Sequence, residues 1–168
     1  MSVGTVSCRE VVQAHLARIE AVNPRLNALV EAADPEQCLT SADAADARAA
    51  QGEPLGRAHG LPIAVKDVMR VAGLTCSGGS PALRAVADDD ATAVARLRAE
   101  GAIVLGLTNV PEMGRGGGSN NNLYGRTNNP YDLSRTSGGS SGGSAALVAT
   151  AMGRWRGRCR TFTLACRS

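Results

Sequence analysis

The sequence predicts an α/β fold, on three observations. Segments with a helical period alternate with short, wholly apolar runs of strand length, and a loop rich in glycine and serine leads into the last helical segment. A chain of 168 residues falls within single-domain range. Its core must be built from Ala, Val, Leu and Ile, because 43% of the residues are hydrophobic and only 2% aromatic.

The elements follow in order. Ser7 with Glu10 three residues later forms a capping box, and Val11, Val12, Leu16 and Ile19 recur on one face, so the spacing predicts a helix over 7–22 that Asn23-Pro24 stops. LNALV (Leu26–Val30) is a short apolar run. Asp34 to Gln51 reads as an alanine-rich helix ended by Gly52. Glycine and proline punctuate the chain as far as Gly60, after which LPIAV (Leu61–Val65) reads as a buried strand that delivers Lys66 at its end. Asp90 is placed to cap a helix over 91–100, Gly101 closes it, and AIVLGL (Ala102–Leu107) is a second strand. From Pro111 to Gly143 a long segment rich in Gly, Asn, Ser and Thr reads as a loop, and SAALVATAM then resumes a helix. Loops of that length are uncommon in compact domains, which marks this one as functional.

Composition narrows the function classes. There is no run of 18 or more apolar residues and no signal-type N-terminus, so the expectation is a cytoplasmic protein with no membrane partner. Five cysteines, widely spaced and without a C-x-x-C pair, suggest neither a disulfide framework nor a zinc site. The net charge is +3, but five arginines lie in residues 154–168 with no acid among them, and subtracting them leaves −2 for residues 1–153. A nucleic-acid partner is therefore not expected for the body of the chain.

The segment 153–168 differs from everything before it. It holds the single Trp, the single Phe and two of the five cysteines, and it has neither a helical nor a strand period. It reads as a basic binding tail, as a divergent surface segment, or as an out-of-frame ending, since a chain with 17 arginines to one lysine points to a GC-rich gene.

Two features point to chemistry. Lys66 is the only lysine, set at a strand end where a compact, titratable amine differs from a guanidinium; a structural ion pair with Asp67 is the alternative. GGSSGG (Gly138–Gly143) opens a helix but lacks the Gly-Lys-Ser/Thr ending of a phosphate-binding loop. A flexible linker and a catalytic loop remain, the latter because serine hydroxyls relay protons and glycines free the backbone to place them.

GLPIAVKD (Gly60–Asp67), TNVPE (Thr108–Glu112), LYGRTNNPYDLSRTSGGSSGGSAA (Leu123–Ala146) and the opening REVVQAHLARIEAVNPRLNALV together resemble the amidase signature family, in its bacterial amidase branch. The resemblance runs from about Ser7 to Met152. It implies the N-terminal part of a mixed β-sheet core covered by helices, an incomplete fold, with residues 1–152 as part of the amidase domain and 153–168 as a divergent tail. It implies hydrolysis of small-molecule carboxylic amides by a Ser, cis-Ser, Lys triad without metal or organic cofactor. By motif, Lys66 and Ser140 carry the lysine and bridging-serine roles, a cis bond joins Gly139 to Ser140, and Ser141 with Gly138 and Gly139 supports the loop. Burial would disfavour the charged form of Lys66, which could then take a proton from Ser140.

In the family a Gly-Gly-Ser element roughly two dozen residues beyond the bridging serine supplies the nucleophile, next to the oxyanion hole. That count reaches Phe162-Thr163-Leu164, where no such element stands; the only serine after Ser144 is Ser168. No nucleophile is identifiable, so the expectation is a truncated, inactive chain with open strand edges, poor solubility and partial folding. Two rival readings are the amidase-type subunit of the glutamine-dependent amidotransferase that corrects misacylated tRNA, and a non-catalytic decayed fragment or basic-tailed binding module. Substrate identity and oligomeric state are not legible.

Overall fold

A computed structural model of the chain describes residues 6–151 and the backbone of 162–164. In chain order the elements are α1 (Cys8–Leu26), β1 (Leu29–Ala32), α2 (Pro35–Ala50), β2 (Pro62–Lys66), the hairpin strands β3 (Thr75–Cys76) and β4 (Ala85–Val86), α3 (Thr92–Ala99) and β5 (Ile103–Thr108). They are followed by two small hairpins, β6 (Asn120–Asn121) with β7 (Gly125–Arg126) and β8 (Asn128–Asn129) with β9 (Asp132–Thr136), and then by α4 (Gly142–Ala151) and β10 (Phe162–Leu164).

The α/β expectation holds. Four strands make one mixed sheet in the order β1-β5-β2-β10, with β2 parallel to both β5 and β10 and β1 antiparallel to β5. Side chains alternate across it. Ile63, Val65, Val104 and Leu107 turn to the face covered by α3 through Val94, while Ala64, Ile103 and Leu105 turn to the face covered by α1, α2 and α4. Each fully buried Val, Leu or Ile contributes about 1.5–3 kcal/mol, so Ile63, Val65, Val94 and Leu107, all 0% exposed, carry much of the first layer.

Val104 and Leu107 reach the same face despite their spacing because the ladder between β2 and β5 slips by one residue: Ile63 pairs with Val104, but Ala64 pairs with Gly106. The bulge sits where β1 crosses closest. Gly106 has φ 146°, and a Cβ there would lie 2.2 Å from the Glu31 carbonyl oxygen.

Several boundaries differ from the sequence reading. The first helix has its capping box at Ser7 but runs through Pro24 to Leu26. Asn23 makes this possible. Its Oδ1 accepts from the amides of Ala28 and Leu29, its Nδ2 donates to the Leu29 carbonyl, and Asn27 closes the last turn in the left-handed region at φ 52°. The apolar run after the helix forms β1, starting three residues later than that run. Asp90 does not cap α3: its carboxylate accepts from Ala72 N and Arg98 Nη1, and Ala91 stands at the cap with no side-chain bond. The long loop also contains structure, because Asn121 folds it locally: Oδ1 accepts from Leu123 N and Tyr124 N while Nδ2 donates to Asn109 Oδ1 and the Val110 carbonyl. Finally, the segment with no strand period contributes β10, since backbone pairing to the open edge of β2 needs no side-chain pattern.

No described helix is long and apolar enough to cross a membrane.

Candidate active site

Lys66 is the last residue of β2 and pairs in register with Thr108, the last residue of β5. Both are buried, Lys66 at 4% exposure and Thr108 at 0%. The C-terminal ends of parallel strands are where α/β sheets most often hold their ligands, because the loops that follow converge there. Here the converging loop is 137–141, which enters α4 directly above the two strand ends. Thr108 Oγ1 and Ser144 Oγ, 2.7 Å apart, tie the first turn of α4 to β5.

The structure brings together the two residues that the sequence singled out from opposite halves of the chain. Lys66 Nζ donates to Ser140 Oγ at 2.7 Å. The Gly139–Ser140 peptide bond is cis. Asp67, fully buried, directs its carboxylate into the next turn, where Oδ1 accepts from Ser77 N and Oδ2 from Ser77 Oγ at 2.6 Å and from Gly79 N.

The glycines around the pair have separate reasons. Gly138 sits in the left-handed region at φ 81°. A Cβ at Gly139 would lie 2.7 Å from Gly118 N, and one at Gly143 would lie 2.5 Å from Asn109 N, so two backbones meet at each place with no room for a side chain. The Ser141 reading changes. Among the described residues Ser141 contributes only its carbonyl, which accepts from Ala145 N, because its position at the start of α4 turns that carbonyl into the first helical turn.

The side chain that brackets Ser140 is Ser119, fully buried, which the sequence reading passed over. Its Oγ accepts from Gly142 N at 2.7 Å and donates to the Ser140 carbonyl at 3.2 Å, and its own amide donates to the Gly138 carbonyl at 2.9 Å. The signal was present as a second glycine-serine cluster, GGGS (Gly116–Ser119), which mirrors GGSSGG. Ser144 and Thr108 were missed as well, and nothing in their spacing marks them as partners.

Two cavities lie near the sheet. One of about 500 Å³ is bordered by Ile103 and Val104 at the other end of β5 and shares no residue with the Lys66–Ser140 pair. A smaller one of about 280 Å³ begins at the residue after Lys66, lined by Asp67, Val68, Ser77, Leu83 and Met113 among others. Neither Lys66 nor Ser140 lines it; its link to the pair is through Asp67, the neighbour of Lys66. Cys76 borders it, but burial pushes that thiol up, as it does at Cys38, which keeps both in the poorly nucleophilic protonated form.

A family model described as Amidase matches residues 10–154. The chain belongs to the amidase family. Its relatives include a glutamyl-tRNA(Gln) amidotransferase subunit of Salinispora arenicola, 48% identical over 87% of this chain and 30% of that protein. Indoleacetamide hydrolase of Bradyrhizobium diazoefficiens is 46% identical over 89% of this chain and 29% of that protein. Among solved structures, one belonging to a vestigial protein complex bearing on the origins of an s-triazine catabolic enzyme superposes with a TM-score of 0.81 at 41% identity, covering 86% of this chain and 32% of that one. The fold is thus a part of the amidase fold, and this chain spans about 30% of the length of the curated relatives it matches.

Proposed function

We propose that Lys66 and Ser140 are two members of a Ser, cis-Ser, Lys centre for hydrolysis of small carboxylic amides to the acid and ammonia or an amine. The observation that carries this reading is the 2.7 Å contact between the only lysine and the serine after the cis bond, at the C-terminal end of parallel strands. With Lys66 neutral, the contact runs with Ser140 Oγ–H donating to Nζ. The nucleophilic serine passes its proton to Ser140 as Ser140 passes its own to Lys66, and the nucleophile's oxygen bonds to the amide carbon. When the tetrahedral species collapses, the C–N bond breaks and the leaving nitrogen recovers the proton along the same path. Water then cleaves the acyl-serine ester. Gly138, at φ 81°, and Gly139, which has no room for a side chain, allow the backbone path that brings Ser140 to Lys66.

Residues 1–168 contain no Gly-Gly-Ser element at the spacing that the resemblance requires for the nucleophile. We therefore infer that residues 153–168 are a divergent, out-of-frame segment; the abrupt change of composition supports this, as does the family match running to residue 154. Loss of a nucleophile alone removes about six decades of rate. The 168-residue polypeptide is expected to release no ammonia from simple carboxamides above the blank. Release that disappears in Lys66→Ala and Ser140→Ala would show that a nucleophile is present after all. At the gene level, a shifted frame near codon 153 is expected to restore a Gly-Gly-Ser element, and its absence would overturn the frame reading. The 48% identity to an amidotransferase component favours a second reading, in which the amide is glutamine and the ammonia passes to a misacylated tRNA; co-purification of partner proteins separates the two.

A further inference from the structure

We propose that Ser119 is a positioning residue that sets the distance between Ser140 and Lys66, a role that rests on the reading of those two residues given above. The loop carrying Ser140 has few internal restraints. Ser141 offers it only a helical carbonyl, Gly138 and Gly139 have no side chains, and Gly139 lies exposed at the surface. Ser137 ties the start of the loop to the Thr127 carbonyl, and Gly138 N donates to Thr136 Oγ1. Around Ser140 itself, however, the restraint comes from a template stretch of chain, Gly116–Ser119, lying against it from the other side.

Ser119 makes three hydrogen bonds to this loop, and they bracket Ser140. Its amide holds the Gly138 carbonyl before the cis bond, its hydroxyl proton goes to the Ser140 carbonyl, and a lone pair on the same oxygen takes the Gly142 amide at the start of α4. A hydroxyl donates to the one and accepts from the other at a single atom, both at full strength. The backbones of Gly118 and Gly139 approach until neither tolerates a side chain at Gly139, so the template also sets the height of the loop. Ser119 itself is fully buried, and its carbonyl accepts from Thr127 N at 2.8 Å, which anchors the template through Thr127 Oγ1 to the Asn27 carbonyl. The chain of contacts thus runs from the C-cap of α1 to Ser140. Removing the Ser119 hydroxyl frees the Ser140 carbonyl and the Gly142 amide together, and Ser140 Oγ drifts from Lys66 Nζ.

Because Lys66 is the only lysine, ¹³Cε-lysine labelling of the full chain gives one side-chain signal that reads its surroundings directly. Ser140→Ala marks the position of that signal when its partner is lost. Ser119→Ala is expected to move the signal toward the Ser140→Ala position, and Ser119→Thr to return it to the wild-type position. Val94→Ala, in the core cluster on the opposite face, lowers stability without moving it. Should Ser119→Ala not fold, Ser119→Cys, with a weak donor and acceptor in a similar shape, is expected to move the signal the same way. A signal that stays at the wild-type position in the Ser119 variant that folds, while Ser140→Ala moves it, overturns the proposal. A signal that Ser140→Ala itself fails to move overturns the underlying Lys66–Ser140 reading instead.

Discussion

Lysine and arginine differ most where a side chain must lie against a hydroxyl in a closed space. Lys66 is such a place: it is 4% exposed, and its neighbour Ser140 is 2.7 Å away. A guanidinium there would present a rigid planar fork to a single oxygen and could not accept a proton back. Lys66→Arg is therefore expected to be no more tolerated than Lys66→Ala in any longer form of the protein that hydrolyses amides. Gly139→Ala is a sharper test at this scale. The added methyl meets the backbone of Gly118 at 2.7–2.9 Å, which neither strand of chain can yield without losing the Ser119 bonds. The variant is expected to lose about 1–3 kcal/mol of stability, measured by denaturant unfolding, whereas Gly73→Ala, with nothing near the new methyl but φ 82°, reports the conformational cost alone. Lys66 was legible as a candidate because it is unique in composition, and Ser140 because its motif is unusual. Ser119 was not, since a buried serine that serves two backbone groups looks in sequence like any serine in a glycine-rich turn.

The elements hold together through side chains that replace backbone bonds at their ends. Asn23 supplies three such bonds between the end of α1 and the start of β1. Asn23→Ala should cost at least about 2 kcal/mol by denaturant unfolding, a loss that Asn23→Asp recovers in part by keeping the acceptor. Asp46 plays a similar part between α1 and α2. Partial burial works against its charged form, but the amides of Cys8 and Arg9 at the α1 N-terminus outweigh this and hold the carboxyl below its usual value. A folded-state value below the unfolded one stabilises the fold fully above about pH 4, and the contribution disappears as the pH falls through the folded value. Asp46→Asn is thus expected to flatten the acid limb of the stability profile, and an unchanged limb would count against this contact. Element type was legible wherever period and caps agreed, as in α1, where Ser7 and Glu10 form the capping box ahead of the apolar face. Boundaries were less so. Pro24 suggested an end that Asn23 and Asn27 postpone, and Asp90 looked like a cap, but its carboxylate turns to the Ala72 amide and to Arg98 in the last turn of the same helix, α3.

At the scale of the whole molecule, the sheet ends in a four-residue edge strand, β1, and large apolar side chains lie exposed at Val68, Leu83, Val86, Met113 and Tyr131. Unpaired strand edges and exposed apolar groups invite association. The chain is expected to sediment with a weight-average mass that rises with concentration, and a constant monomer mass across the range would contradict this. The α/β architecture was readable from the alternation of helical and apolar strand segments, but its strand order was not, because pairing β1 against β5 across two intervening helices and three strands depends on long-range fit. Joining Lys66 to Ser140, 74 residues apart, needed either the family motifs or the fold. One measurement addresses that junction directly: the ¹³Cε spectrum of the single lysine in the wild-type chain and in Ser140→Ala. The wild-type signal is expected to be displaced from that of an unfolded lysine and to move again in Ser140→Ala. A signal with the position of an unfolded lysine, or one indifferent to Ser140, would contradict the Lys66–Ser140 contact.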